Sequence, residues 1–133
     1  MLCLAGGTGL APILAILEDA LPREPAEPFH LLFSVRTAAD AFALERLCAL
    51  RDRHPNFAFD LTVTGEAGAI ARHDARIPDL LLALHGDLSA HRIVVAGSPA
   101  MVDSCRAAAA ALGAAPDRIA CDAFTTAPAP VEA

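Results

Sequence analysis

Apolar positions along the chain fall in short blocks whose period keeps changing. Met1–Ala5 is a continuous apolar run, the pattern of a strand buried on both faces. Pro12–Leu21 switches to a helical period, with Ile13, Leu14, Leu17 and Leu21 on one side. After a proline-rich acidic connection, Pro22–Pro28, the run Phe29–Val35 predicts a second strand. Phe42–His54 predicts a helix with Leu44, Leu47 and Cys48 turned to the sheet. Phe57–Thr64 alternates, setting Phe57, Phe59, Leu61 and Val63 against Ala58, Asp60, Thr62 and Thr64. Alternation gives this third strand one wetter face, as at a sheet edge. Gly65–Ile77 is irregular and Pro78–His85 a short helix. Arg92–Ala96 is a fourth strand, and Pro99–Leu112 an alanine-rich helix with Met101, Cys105, Ala108 and Leu112 on one stripe. Gly113 supplies its stop. Arg118–Asp122 is a fifth strand, and Thr125–Ala133 a Pro/Ala tail expected to be disordered or a linker.

Strands and helices in strict alternation predict an α/β fold: a doubly wound, five-stranded parallel sheet with helices on both faces and right-handed crossovers. Residues 1–124 form one domain on this reading. Ligands of such sheets bind beyond the carboxyl ends of the strands, where strand order reverses. That rule selects three segments: Gly6–Pro12, Ser34–Thr37 and Gly97–Met101.

Composition narrows the chemistry. A formal net charge of −6 argues against a nucleic-acid groove, which needs a basic surface. All 10 basic residues are arginine, so lysine Schiff bases and a P-loop lysine are excluded. Cys3, Cys48, Cys105 and Cys121 form no CxxC pair, and no histidine spacing completes a zinc site. Each lies in a predicted strand or helix, which implies buried free thiols and a reducing, cytoplasmic setting. The apolar start has no basic leader, and no apolar run has membrane-spanning length.

The strongest local feature is the first turn. A strand ends in Gly6-Gly7-Thr8-Gly9, and a helix opens with Pro12 in its first turn. Glycines let backbone N–H groups approach a phosphate at a helix N-terminus. Alone, the turn is equally a tight strand–helix junction. It departs from GxGxxG, since Pro12 holds the third glycine position, and Arg36 follows the second strand where a ribose-binding carboxylate normally stands. A second glycine turn, Ala96-Gly97-Ser98-Pro99-Ala100-Met101, opens the helix after the fourth strand. Ser98 is suited to cap that helix and Pro99 to start it, roles compatible with ligand contact. His73-Asp74 reads as a solvated loop pair, His30 as a packed strand residue and Asp60 as exposed. Ser98 has no GxSxG context for acyl transfer.

Taken together, GGTGLAP (Gly6–Pro12), FSVRT (Phe33–Thr37), AGSPAMV (Ala96–Val102) and CDAF (Cys121–Phe124) resemble the nicotinamide-binding domain of ferredoxin–NAD(P)+ reductase-like flavoproteins, of the oxygenase reductase type. The order and spacing match as far as Phe124. The resemblance implies a Rossmann-like domain binding NAD at Gly6, Gly7, Thr8, Gly9, Pro12, Arg36, Gly97, Ser98, Pro99 and Met101. It places Thr8 close to the reacting rings, and it matches Asp122 and Phe124 to an acidic residue and an aromatic that covers the flavin. Phe124 reads equally well as a plug at a strand end. Ala96 stands where the family carries a cysteine beside the site of hydride transfer, which bears on rate rather than binding.

NADP-preferring relatives place Ser-Arg after the third strand; Thr64-Gly65 here implies NADH over NADPH, with Arg36 and Arg72 as candidate phosphate partners. The family's flavin domain, with its Arg-x-Tyr-Ser-type motif, has no counterpart in the sequence, which contains no tyrosine; nor does a 2Fe–2S ligand loop. FAD or FMN is therefore expected on another domain or subunit, with an iron–sulfur protein or oxygenase as electron acceptor. The chain reads as the NADH-binding half of a flavin-dependent oxidoreductase, and its start at the first strand favours truncation. The alternatives are a nucleotide-binding module without catalysis and, more weakly, another doubly wound enzyme such as a methyltransferase.

Overall fold

The computed structural model describes residues 1–37, 43–65 and 76–123. The parallel sheet has five strands in the order β3-β2-β1-β4-β5. They are β1 (Leu2–Gly6), β2 (Phe29–Val35), β3 (Phe57–Val63), β4 (Ile93–Gly97) and β5 (Ile119–Ala123). The helices are α1 (Leu10–Arg23), α2 (Leu44–Arg53), α3 (Ile77–Leu84) and α4 (Pro99–Ala111), with a 3-10 turn, Gly7–Gly9, between β1 and α1.

The central strands alternate their side chains between two cores. Cys3, Ala5, Phe29, Leu31 and Phe33 point to the α1 and α2 face, where they meet Ile13, Leu14, Leu17, Leu21, Leu47 and Leu50. Leu2, Leu4, Leu32, Ile93 and Val95 point to the opposite face, against Ile77, Leu80 and Leu81 of α3 and Val102, Cys105 and Ala109 of α4. This is the doubly wound arrangement expected of a sheet whose central strands are apolar on both sides.

The boundaries differ from the sequence reading at instructive places. α1 continues through Pro22 to Arg23. Pro22 removes the N–H that would bond Glu18 O, but both residues are exposed, so water can take that carbonyl, and Glu24 N–H closes the helix on Ala20 O at 3.0 Å. On α2 the buried positions are Leu47 and Leu50, while Leu44 and Cys48 are half-buried. β3 is an edge strand as its alternation predicts, yet Thr62 is fully buried rather than wet. Phe42, the stretch 66–75 with Arg72, His73 and Asp74, and the tail 124–133 lie outside the described residues.

α4 ends as its sequence predicts. Gly113 has φ +91°, its N–H bonds Ala110 O at 3.0 Å, and Ala114 N–H bonds Ala109 O at 3.0 Å. This pair of bonds is the Schellman arrangement. A Cβ at position 113 would be strained by that φ and would sit 3.3 Å from Asp87 Oδ1. Gly113→Ala is expected to destabilise the fold by about 1 kcal/mol. Thermal unfolding should show a midpoint lower by a few degrees, with nucleotide binding unchanged.

Candidate functional site

The order β3-β2-β1-β4-β5 reverses between β1 and β4, so the crevice lies beyond Gly6 and Gly97. Both glycine turns flank this point. Ala5 pairs with Ala96, and Ala96 with Asp122, so the ends of β1, β4 and β5 are level. On the other side Gly6 pairs with Ser34, which sets Arg36 just past the end of β2. Arg36, Gly6–Gly9, Gly97–Met101 and Asp122 thus line one rim of the sheet. From the end of β1 to Asp122 is two strand spacings, roughly 10 Å.

The first turn is shaped by its glycines. Gly7 has φ +55°, and a Cβ there would meet nothing within 4 Å, so its backbone faces open space. Gly9 is the reverse: buried, with a hypothetical Cβ 2.6 Å from the Ala96 carbonyl carbon and 3.0 Å from Gly97 N. Only a residue without a side chain lets the start of α1 press against β4. Gly9 caps α1 without any side-chain hydrogen bond, and the 3-10 turn takes up the Leu10 N–H on the Gly7 and Thr8 carbonyls, so backbone rather than a side chain closes the start of the helix. Thr8 is exposed at the tip, and Pro12 is half-buried in the first turn of α1.

The second turn is closed by Met101. Its Sδ would lie 2.5 Å from a Cβ on Gly97, and its Cε would lie 3.4 Å from a Cβ on Gly6. The thioether therefore fills the space between the two turns. Ser98 caps α4 by accepting the Met101 N–H at 3.3 Å, and Pro99 follows at the first helical position. Ala96 is buried, with only 1% of its surface exposed.

The end of β3 is tied to the end of β2. Thr64 N–H bonds Val35 O at 3.0 Å, and Gly65 N–H bonds Arg36 O at 2.8 Å. A Cβ on Gly65 would come 2.5 Å from that carbonyl oxygen, so the Thr64-Gly65 pair is fixed beside an exposed Arg36. Asp122 is exposed on β5; Phe124 lies outside the described residues. The expectation of four buried thiols needs correction. Cys3 and Cys105 are buried, and burial pushes both thiols up to about 12. Cys48 is half-buried and Cys121 exposed, because β5 is an edge strand exposed along most of its length.

The glycine cradle, a helix start that no side chain covers and the open space beside Gly7 fit a dinucleotide lying across the switch point. This fold and this rim define a doubly wound α/β domain for nucleotide binding. The chain belongs to the oxidoreductase NAD-binding domain family, which matches residues 3–107. It is 42% identical over 125 residues to the ferredoxin–NAD(P)+ reductase component of naphthalene 1,2-dioxygenase/salicylate 5-hydroxylase systems from Ralstonia sp., covering 93% of this chain and 38% of the relative. It is 32% identical over 130 residues to a terephthalate 1,2-dioxygenase reductase component from Comamonas sp., covering 96% of this chain and 38% of that one. An Amycolatopsis cytochrome P450 reductase superposes with a TM-score of 0.86 at 30% identity, over 95% of this chain and 38% of its own. A ferredoxin NADP+ reductase from Neisseria gonorrhoeae, with bound FAD and NADP, superposes with a TM-score of 0.77 at 26% identity, over 92% of this chain and 55% of its own. The chain thus spans about 38% of the length of these oxygenase-system relatives and corresponds to the NAD-binding part of a ferredoxin reductase-like oxidoreductase. Among the described residues, no helix is long and apolar enough to cross a membrane.

Proposed function

We propose that the chain is the NADH-binding half of a flavin-dependent reductase serving an oxygenase system. The observation that carries this reading is the meeting of two glycine turns at the switch point, with Gly9 pressed on Ala96 and no side chain over the start of α1. Backbone N–H groups of the Gly7–Gly9 turn hold the pyrophosphate. Thr8, Gly97, Ser98 and Pro99 bound the nicotinamide, Met101 fills the space between the two turns, and Pro12 starts the helix behind the first. Asp122, on β5, faces the flavin, and Phe124 is assigned the part of the aromatic that covers it.

When bound, the nicotinamide supplies the hydride and a flavin on another domain or subunit accepts it. The residues of this chain orient one ring, exclude water and fix its distance from the partner. They need donate no proton. An iron–sulfur protein or an oxygenase takes the electrons onward, in a reducing, cytoplasmic setting. A preference for NADH is supported by Thr64-Gly65, whose backbone is pinned to Val35 O and Arg36 O and which stands in place of a Ser-Arg pair for a 2′-phosphate.

Calorimetry checks this directly. NADH is expected to bind and NADPH to bind less well. Absence of heat from either nucleotide at millimolar concentration overturns the reading. The purified chain is also expected to be colourless and inactive with NADH and dye acceptors. A yellow preparation with tightly held flavin would contradict the placement of the flavin on another domain.

A further inference from the structure

At the pole of the sheet opposite the nucleotide rim, three histidines and a carboxylate are joined in series. His30 is the second residue of β2 and points to the α3 face, where it is half-buried. Its Nε2 lies 2.8 Å from Asp60 Oδ2 on β3, and its Nδ1 lies 2.9 Å from Nε2 of His85, which caps the C-terminus of α3. The His91 ring stands edge-on to His85, with centroids 5.9 Å apart, and its Nδ1 is buried without a hydrogen-bond partner. Asp60 is only 17% exposed. No group of three or more His, Cys, Asp or Glu among the described residues is arranged to hold a metal ion, and the ring nitrogens of His30 and His85 bond each other instead.

The series has one consistent neutral arrangement. Asp60 is a carboxylate and accepts the His30 Nε2–H. His30 Nδ1 is then a lone pair and accepts the His85 Nε2–H. A first added proton can be held: His30 becomes an imidazolium donating at both nitrogens, and His85 turns acceptor at Nε2 by carrying its proton on Nδ1. A second proton cannot be held. Both nitrogens of the 2.9 Å contact would then bear hydrogens, and two positive rings would face each other. We propose that Asp60, His30 and His85 form a pH-sensitive latch, tying the C-terminal end of α3 to β2 while His85 is neutral and releasing it when both imidazoles are protonated.

The surrounding charges favour this behaviour. Burial holds His85 below its ordinary value, and the charges of His30 and His91 push the same way against the opposing pull of Asp60. His85 is thus neutral in the fold over a range where the unfolded chain would protonate it. Its contribution to stability is complete above about pH 6.5 and is lost as pH falls from there through the lower folded value. Asp60 carries a further interaction besides His30. Of the nearby charged groups, Asp87 faces His91 and is held below the usual carboxylate range by the Ser89 N–H and hydroxyl. Arg92 is paired with Glu24. The latch fastens a short helix: α3 buries only Ile77, Leu80 and Leu81, while Leu82 and Leu84 are exposed.

The test is amide hydrogen exchange of the full chain at about pH 8 and about pH 5.5, corrected for intrinsic exchange, together with NMR titration of the histidine rings. The amides at the end of α3, from Leu81 to His85, are expected to lose protection roughly tenfold at the lower pH while β1 and β4 keep theirs. His85→Gln keeps a donor for His30 Nδ1 and cannot take up a proton, so its α3 protection should be the same at both pH values. Equal wild-type protection at both pH values, or an undiminished loss in His85→Gln, overturns the latch. The ring titrations need no variant. His85 is expected to take up its proton below the ordinary imidazole range, and uptake at the ordinary value would overturn it equally.

Discussion

Gly9→Ala is expected to destabilise the domain by roughly 3 kcal/mol and to remove measurable NADH binding. The obstacle is main chain on both sides. The new Cβ would sit 2.6 Å from the Ala96 carbonyl carbon and 3.0 Å from Gly97 N, in the last two residues of β4. Neither can yield locally, because β4 is a central strand paired on both sides, with Cys3 opposite Val94 and Ala96 opposite Asp122. The strain can be relieved only by moving the start of α1 off the sheet. That movement uncovers Leu10 and Ile13, both fully buried, and opens the space between the two turns. Denaturant unfolding measures the first effect and calorimetry the second. A variant of wild-type stability that binds NADH normally would show that α1 and β4 do not touch as described. Gly7→Ala is the matching control for space: a Cβ there meets nothing within 4 Å, so its cost is limited to the strain of φ +55°.

This contrast between neighbouring glycines shows how far the sequence could be read. The five strands, their parallel pairing and the edge position of β3 follow from apolar runs and their alternation with helices, because those patterns are local. The two glycine turns were legible as a pair for the same reason: a doubly wound order puts the ends of β1 and β4 side by side. Their distinct tasks were not. That Gly7 supplies a left-handed turn and Gly9 a close approach depends on which backbone lies opposite, and that is a tertiary fact. The latch was hidden for a stronger reason. His30, Asp60 and His85 belong to three different elements, and taken one at a time they look like a packed strand residue, an exposed carboxylate and a helix end. The half-burial of Asp60 comes from register, since it stands diagonal to His30 across the β2–β3 pair. Pro22 misled in the opposite direction. It marks the end of a helix in general, but here the Glu18 carbonyl left without its N–H lies on the exposed face and can be satisfied by water, and α1 runs past it to Arg23.

Met101 offers the other large effect, one that separates binding from folding. A Cβ on Gly97 would sit 2.5 Å from Met101 Sδ, and the clash is with a flexible thioether rather than with backbone. Gly97→Ala is therefore expected to leave stability within about 1 kcal/mol of wild type, since Met101 can swing aside. The direction left to it is the mouth between the turns, because inward it already packs against the core that holds the buried Val102 and Cys105. A displaced thioether there would occupy the place of the nicotinamide, and NADH affinity should fall roughly thirtyfold, or about 2 kcal/mol. Met101→Ala removes the obstacle. The double variant Gly97→Ala/Met101→Ala should then bind NADH more tightly than Gly97→Ala alone, although Met101→Ala by itself weakens binding slightly by leaving the turns unsupported. The sign of the coupling is what decides the matter. If the two losses simply add, Met101 does not stand between the turns, and the nicotinamide side of the rim is shaped by something other than the packing of one thioether against two glycines.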